Sequence, residues 1–199
     1  MHQQPPLSIA ILCGGQSRRM GEVKGLRAFL GRPLIVRVVE RLQQSDCLLV
    51  TNTPDAYRFL GLPMIGDDLP GLGPLGGLQA AMTHCTTPLL AAVACDMPFV
   101  NVALLTQARE IAMTSSCNAV VPRSRDGLEP LHAVYNAEAC LPLVREAIAH
   151  GDLSMMKLLA QMNVREIDCR EDVLTFTNVN TADEFHHAEA TASKLEWRL

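Results

Sequence analysis

At 199 residues the chain is long enough for one sizeable core and short for two complete domains. Hydrophobic residues make up 48% and charged residues 19%, which excludes a disordered chain. A net charge of -4 argues against broad nucleic-acid binding and leaves room for a local basic loop. The seven cysteines, at 13, 47, 85, 95, 117, 140 and 169, form no C-x-x-C pair, so they read as reduced thiols in apolar runs rather than a zinc or thioredoxin-type site. The opening MHQQPPLS has no basic region, and no segment approaches the ~20 apolar residues of a membrane span. The expectation is a cytoplasmic chain of one domain over 1–199, with a flexible N-terminus at 1–6.

The predicted elements run as follows. LSIAILC at 7–13 reads as a buried strand, and a loop carrying Gly14, Gly15, Gly21 and Gly25 follows. Pro33 opens a helix whose apolar face is Ile35, Val38, Val39 and Leu42. CLLVTN at 47–52 is a second strand, residues 54–60 a short helix, and PMIGDD at 63–68 a short third strand. The glycine-rich PGLGPLGGLQAAM at 70–82 leads into a helix, with glycines that let a base or ribose lie close to backbone. PLLAAVACDMP at 88–98 is continuously apolar up to Asp96, the pattern of a strand covered on both faces. A helix at 101–114 and strands at 118–122 and 131–136 come next. Helices at 138–150 and 153–162 and strands at 164–168 and 174–178 follow. Thr181 and Glu184 form a capping box for a last helix with Phe185, Ala188, Ala192 and Leu195 on one face. Alternating strands and helices predict an α/β fold: a doubly wound, mostly parallel, Rossmann-like sheet with helices on both faces.

In such a sheet, ligands collect at the carboxyl ends of the strands. Bare backbone in 13–24 with the cations Arg18, Arg19 and Lys24 suits a polyphosphate. The spacing is neither a Walker loop nor a dinucleotide fingerprint, and a tight surface turn with solvated arginines is the competing reading. Asp96 ends a buried strand, where a carboxylate needs a partner or a metal. Mg²⁺ beside a triphosphate is one answer, and a helix N-cap is the other. Asp67 and Asp68 are weaker candidates. His132 lies in an apolar run and reads as a hydrogen-bonded core residue, while His186 and His187 read as surface.

LCGGQSRRMGEVKGL resembles the signature of nucleotidyltransferases that use NTPs. With GPLGGL (73–78), ACDMPF (94–99), EPLHAVY (129–135) and NVNT (178–181), the resemblance covers residues 8 to about 185 and points to the molybdenum cofactor guanylyltransferases. It implies a Mg²⁺-dependent transfer of GMP from GTP to the terminal phosphate of molybdopterin, with molybdoenzyme-maturation proteins as further partners. It also implies roles by position. Leu12, Cys13, Gly14 and Gly15 contact the nucleotide through backbone, Lys24 holds phosphates, and Arg19 works beside it. Asn52 and Asp67 lie around the guanosine, Asp96 binds Mg²⁺ and nucleotide, and Asn178 and Asn180 sit toward the pterin. Alternating on a strand, these two asparagines face one side. Cys13 stands where alanine is usual, and Val23 where aspartate often precedes the lysine. Rival readings are a cytidylyltransferase of the same pterin, a sugar-phosphate nucleotidyltransferase, and a non-catalytic nucleotide- or pterin-binding adaptor.

Overall fold

The computed structural model describes residues 7–14, 23–42, 47–67, 71–172 and 174–194. The strands are β1 (Leu7–Leu12), β2 (Ala28–Phe29), β3 (Arg32–Pro33), β4 (Cys47–Val50), β5 (Met64–Ile65), β6 (Leu89–Ala94), β7 (Ala119–Arg123), β8 (His132–Asn136) and β9 (Val164–Asp168). The helices are α1 (Leu34–Leu42), α2 (Pro54–Tyr57), α3 (Pro74–His84), α4 (Val102–Thr114), α5 (Ala137–Ala149), α6 (Met155–Ala160) and α7 (Ala182–Lys194).

Seven strands form one sheet in the order β5-β4-β1-β6-β8-β7-β9. β5, β4, β1 and β6 run parallel, β8 runs antiparallel to β6 and β7, and β9 is parallel to β7. The mostly parallel sheet follows from burial on both faces. All six residues of β6 are buried, so its side chains must be apolar on both sides. β1 divides its residues accordingly. Ala10 and Leu12 join the core under α3 and α5, and Ile9 and Ile11 join the core under α1 and α4.

The chain moves outward from β1 through β4 to β5, then returns to β6 on the other side of β1. The tips of β1 and β6 therefore flank the crevice where strand order reverses, the place where open α/β sheets bind ligands. In-register pairing extends to Leu12 opposite Ala94. Residues 13–14 and 95–96 thus leave the sheet side by side.

A smaller core joins the β2–β3 hairpin to α7 through Phe29, Leu34, Phe99, Val179, Phe185, Ala188 and Ala192. The hairpin itself was not anticipated. Its turn puts Leu30 at φ +48 and Gly31 at φ +75. The buried Arg37 guanidinium donates to the carbonyls of Phe29 (3.3 Å) and Leu30 (2.5 Å), and Glu189 Oε1 accepts from Leu30 N at 2.7 Å.

The strand expected at 174–178 does not form. The Asp172 carboxylate accepts from the backbone N–H of Leu174 (3.2 Å) and Thr175 (3.0 Å) and from the Thr175 hydroxyl (2.6 Å). Thr177 N then bonds Leu174 O at 2.9 Å. Local side-chain hydrogen bonds hold this segment in turns in place of a ladder.

A candidate active site at the tips of β1 and β6

The cleft lies where the sheet predicts it. Leu12, Gly14, Lys24, Val50, Asp67, Gly73, Pro74, Gly77, Ala94, Cys95, Asp96 and Leu131 line a space of about 170 Å³. Its floor is the β1–β6 seam, where Leu12 O accepts from Cys95 N at 3.2 Å. The Cys13 N–H is committed to Val50 O at 2.8 Å. Cys13 packs on the α1 and α4 side of the sheet and does not line the cleft. Burial and the neighbouring Cys95 thiol push its own thiol up. A cysteine in place of alanine at 13 therefore leaves the cleft surface unchanged.

Three sequence blocks meet at Lys24. Its ammonium donates to the Asp96 carboxylate and to the side-chain oxygen of Asn180, which are 72 and 156 residues away in the chain. Asp96 and Lys24 are 16% and 20% exposed, so the pair sits at the mouth, open to a ligand yet shielded from bulk water. Asp96 is not a helix cap: that role belongs to Asn101, whose side chain accepts from Leu104 N at the start of α4.

Lys24 begins a one-turn 3₁₀ helix, Lys24–Leu26, whose position is set from below. Gly25 is buried against Tyr57, and a Cβ there would lie 2.7 Å from the Tyr57 hydroxyl. Burial first, then the nearby cysteines, drive the Tyr57 pKa far up, so it stays a neutral hydrogen-bonding phenol.

Asn180 is held on several sides. Glu184 Oε2 accepts from its backbone N at 2.6 Å, and Arg27 donates to its carbonyl at 3.3 Å. The preceding Val179 N bonds Asp96 O at 3.1 Å. Arg27 in turn stacks over the Phe185 ring at 4.1 Å, a cation–π contact that orders it. Asn178 does not join this group, because its amide bonds Phe176 O at 3.5 Å.

At the other end, Asn52 and Asp67 pair with each other. Asn52 Oδ1 accepts from Asp67 N at 2.8 Å, and Asn52 Nδ2 donates to Asp67 Oδ2 at 3.3 Å. Gly77 lies between this pair and the floor, and a Cβ there would be 3.6 Å from Asp67 Oδ1 and 3.5 Å from Leu12 Cδ2. Gly73, at φ +60, turns the chain into α3, whose first residue also lines the cleft. The predicted Arg18, Arg19, Gly15, Gly21 and Asp68 lie outside the described residues. Tyr57, Arg27 and Val50 were missed. Val50 lies in an expected strand and Tyr57 in an expected helix, but neither they nor Arg27 belong to a chemical motif, and only the fold brings them here.

Among the described residues, no three His, Cys, Asp or Glu side chains stand close enough to hold a metal on their own. Asp96 already attracts a cation, the Lys24 ammonium. One carboxylate completed by phosphate and water oxygens is the donor set that Mg²⁺ favours, so the residues fit that ion.

Residues 9–166 match the family model described as the MobA-like NTP transferase domain. The chain is 33% identical over 187 residues to the molybdenum cofactor guanylyltransferase of Vibrio vulnificus, covering 91% of this chain and 94% of that one. The chain belongs to the molybdenum cofactor guanylyltransferases, within this family of NTP transferases. A probable guanylyltransferase of the same kind from Methanothermobacter thermautotrophicus is 39% identical over 140 residues, 65% of this chain and 71% of the relative. Among solved structures, the molybdopterin-guanine dinucleotide biosynthesis protein A of Archaeoglobus fulgidus superposes with a TM-score of 0.82 at 27% identity, covering 94% and 99% of the two chains. The family assigns nucleotidyl transfer, and the cleft mouth brings Lys24, Asp96 and Asn180 together. No helix among the described residues is long and apolar enough to cross a membrane.

Proposed function

We propose that the protein, acting in the cytoplasm, transfers GMP from GTP to the terminal phosphate of molybdopterin and releases pyrophosphate. The observation that carries the reading is the convergence of Lys24, Asp96 and Asn180 on one cleft mouth, in a chain related to enzymes of that name.

The acceptor is itself a phosphate with a second pKa of about 6, so it is largely dianionic at neutral pH and needs no protein base. The chemical problem is bringing anion to anion. Lys24 meets the triphosphate as a point charge on a flexible stem, and the resemblance gives Arg19 as a second cation. Asp96 would hold Mg²⁺, which would supply charge neutralisation for the phosphates. Asn52 and Asp67 receive the guanine: a carboxylate can accept from both N1–H and the 2-amino group, and Gly77 keeps that side open. Asn180 is the residue turned toward the pterin, and the family resemblance alone gives Asn178 a pterin contact. The resemblance gives the backbone of Leu12, Cys13, Gly14 and Gly15 the contact with the nucleotide. Holding two substrates in line supplies much of the remaining rate enhancement.

The test is pyrophosphate release from GTP, Mg²⁺ and molybdopterin. The wild-type chain is expected to turn over, with GTP binding more tightly than CTP. Asp96→Ala is expected to lose at least about 10²-fold in turnover. Preference for CTP, or near-normal Mg²⁺-dependent turnover in the variant, overturns the assignment.

A further inference from the structure

The Lys24 ammonium lies on Asp96 and Asn180. The reading above needs the same ammonium on the polyphosphate and the same carboxylate on a divalent cation. The ammonium now commits its contacts to Asp96 Oδ2 and Asn180, so a divalent cation reaching that oxygen meets it there. Two cations at contact distance on one carboxylate oxygen repel strongly in a half-shielded site.

The surroundings say which partner moves. Asp96 ends its strand with its carbonyl fixed by Val179 N, and Asn180 is fixed through both of its backbone groups, by Glu184 and by Arg27. The Lys24 backbone is also fixed, by the 3₁₀ turn and the Gly25–Tyr57 contact. What remains free to swing is the four-carbon stem and its ammonium.

We infer that Lys24 is a displaceable place-holder: its ammonium fills the cation position on Asp96 and ties Asn180 to it, then leaves for the phosphates when nucleotide and divalent cation bind. This rests on the proposed guanylyl transfer. It adds an order to the reaction, since Asn180 becomes available to the acceptor only after the nucleotide has drawn Lys24 away. It also means that Lys24 opposes metal binding in the nucleotide-free protein while promoting nucleotide binding, two effects of opposite sign from one side chain.

Mn²⁺ is a direct probe, read by electron paramagnetic resonance on the full chain without nucleotide. Lys24→Met is expected to bind Mn²⁺ about three- to tenfold more tightly than wild type, the release of a half-buried ion pair. Its affinity for GTP in the presence of a chelator is expected to fall at least about tenfold. Asn180→Ala changes no charge yet removes one tether of the ammonium, so it is expected to tighten Mn²⁺ about twofold. Mn²⁺ affinity in Lys24→Met equal to or weaker than wild type overturns the place-holder role. An unchanged value in Asn180→Ala overturns the tie to Asn180, because simple charge repulsion by Lys24 predicts that result. Thermal unfolding checks that both variants are folded. The proposed function fails separately, through absent pyrophosphate release in wild type, whatever Mn²⁺ does.

Discussion

A methyl group on Gly25 would come within 2.7 Å of the Tyr57 hydroxyl and 3.2 Å of its ring. Tyr57 is 1% exposed and has no room to retreat. Gly25→Ala is therefore expected to cost about 1–3 kcal/mol and to weaken GTP binding by displacing Lys24. Tyr57→Phe removes the nearest atom, so the double variant is expected to recover part of the loss. Purely additive losses in denaturant unfolding would show that the two residues do not meet. His132 gives a second residue-scale case. It is fully buried on β8 with Phe176 edge-on at 5.6 Å, and the Asn101 backbone acts on its ring as a hydrogen-bond partner. The sequence expectation of a core histidine holds. Burial lowers its pKa from 6.5 to about 4. The unfolded chain takes up this proton as pH falls through 6.5 and the folded chain only near 4. Stability is therefore lost as pH falls across that window, by on the order of 3 kcal/mol. His132→Phe is expected to flatten the pH dependence of unfolding between pH 6.5 and 4. An unchanged slope would place the titration elsewhere.

At the scale of elements, the start of α7 shows what a sequence makes legible. A capping box is a local pattern, and the structure contains it: Thr181 Oγ1 accepts from Glu184 N at 3.2 Å, and Glu184 Oε2 accepts from Thr181 N at 2.8 Å. The backbone N–H groups of Thr181 and Asn180, both donating to it, hold the Glu184 carboxyl below its ordinary range. Phe185, Ala188 and Ala192 face the core as their spacing requires. Thr181→Ala is expected to cost about 1 kcal/mol and to raise hydrogen exchange at the amides of Asn180 and Thr181. Equal exchange in both proteins would mean that the box does not anchor Asn180. The six segments 7–12, 47–50, 89–94, 102–114, 119–123 and 164–168 were equally legible, because burial on one or two faces writes a pattern into the residues. Three features were not. The 172–177 turns depend on the Asp172 carboxylate, which overrides a strand-like composition. The β2–β3 hairpin is two residues a side, too short to carry a period. The pairing direction of β8 is set by its neighbours in the finished sheet. The candidate site divides in the same way. Lys24, Asp96 and the glycines announce themselves by type and position, whereas Tyr57 and Arg27 matter only through contacts that the fold creates.

For the whole molecule, the informative quantity is how far apart in sequence the cleft groups lie. Leu12, Lys24, Asp67, Asp96 and Asn180 span most of the chain, and each sits on or beside a strand tip of one sheet. A ligand that bridges them draws on β1, β4, β5, β6 and the segment before α7 together. Loss of any one of these elements disassembles the site. Binding is thereby linked to unfolding as a whole, because the unfolded chain cannot hold these groups together. At a hundredfold excess over its Kd, GTP with Mg²⁺ is expected to stabilise the protein by about 2.7 kcal/mol. For a chain of this size that is a rise in Tm of roughly 5–11 °C. Mg²⁺ alone is expected to add little, because Lys24 competes for Asp96. In Asp96→Ala the metal-dependent share of the shift is expected to vanish, while the share from GTP alone persists. A Tm unmoved by saturating GTP and Mg²⁺ would mean that these strand tips do not close on one nucleotide. A metal-dependent share that survives in Asp96→Ala would move the cation to another carboxylate, with Asp67 the next to test.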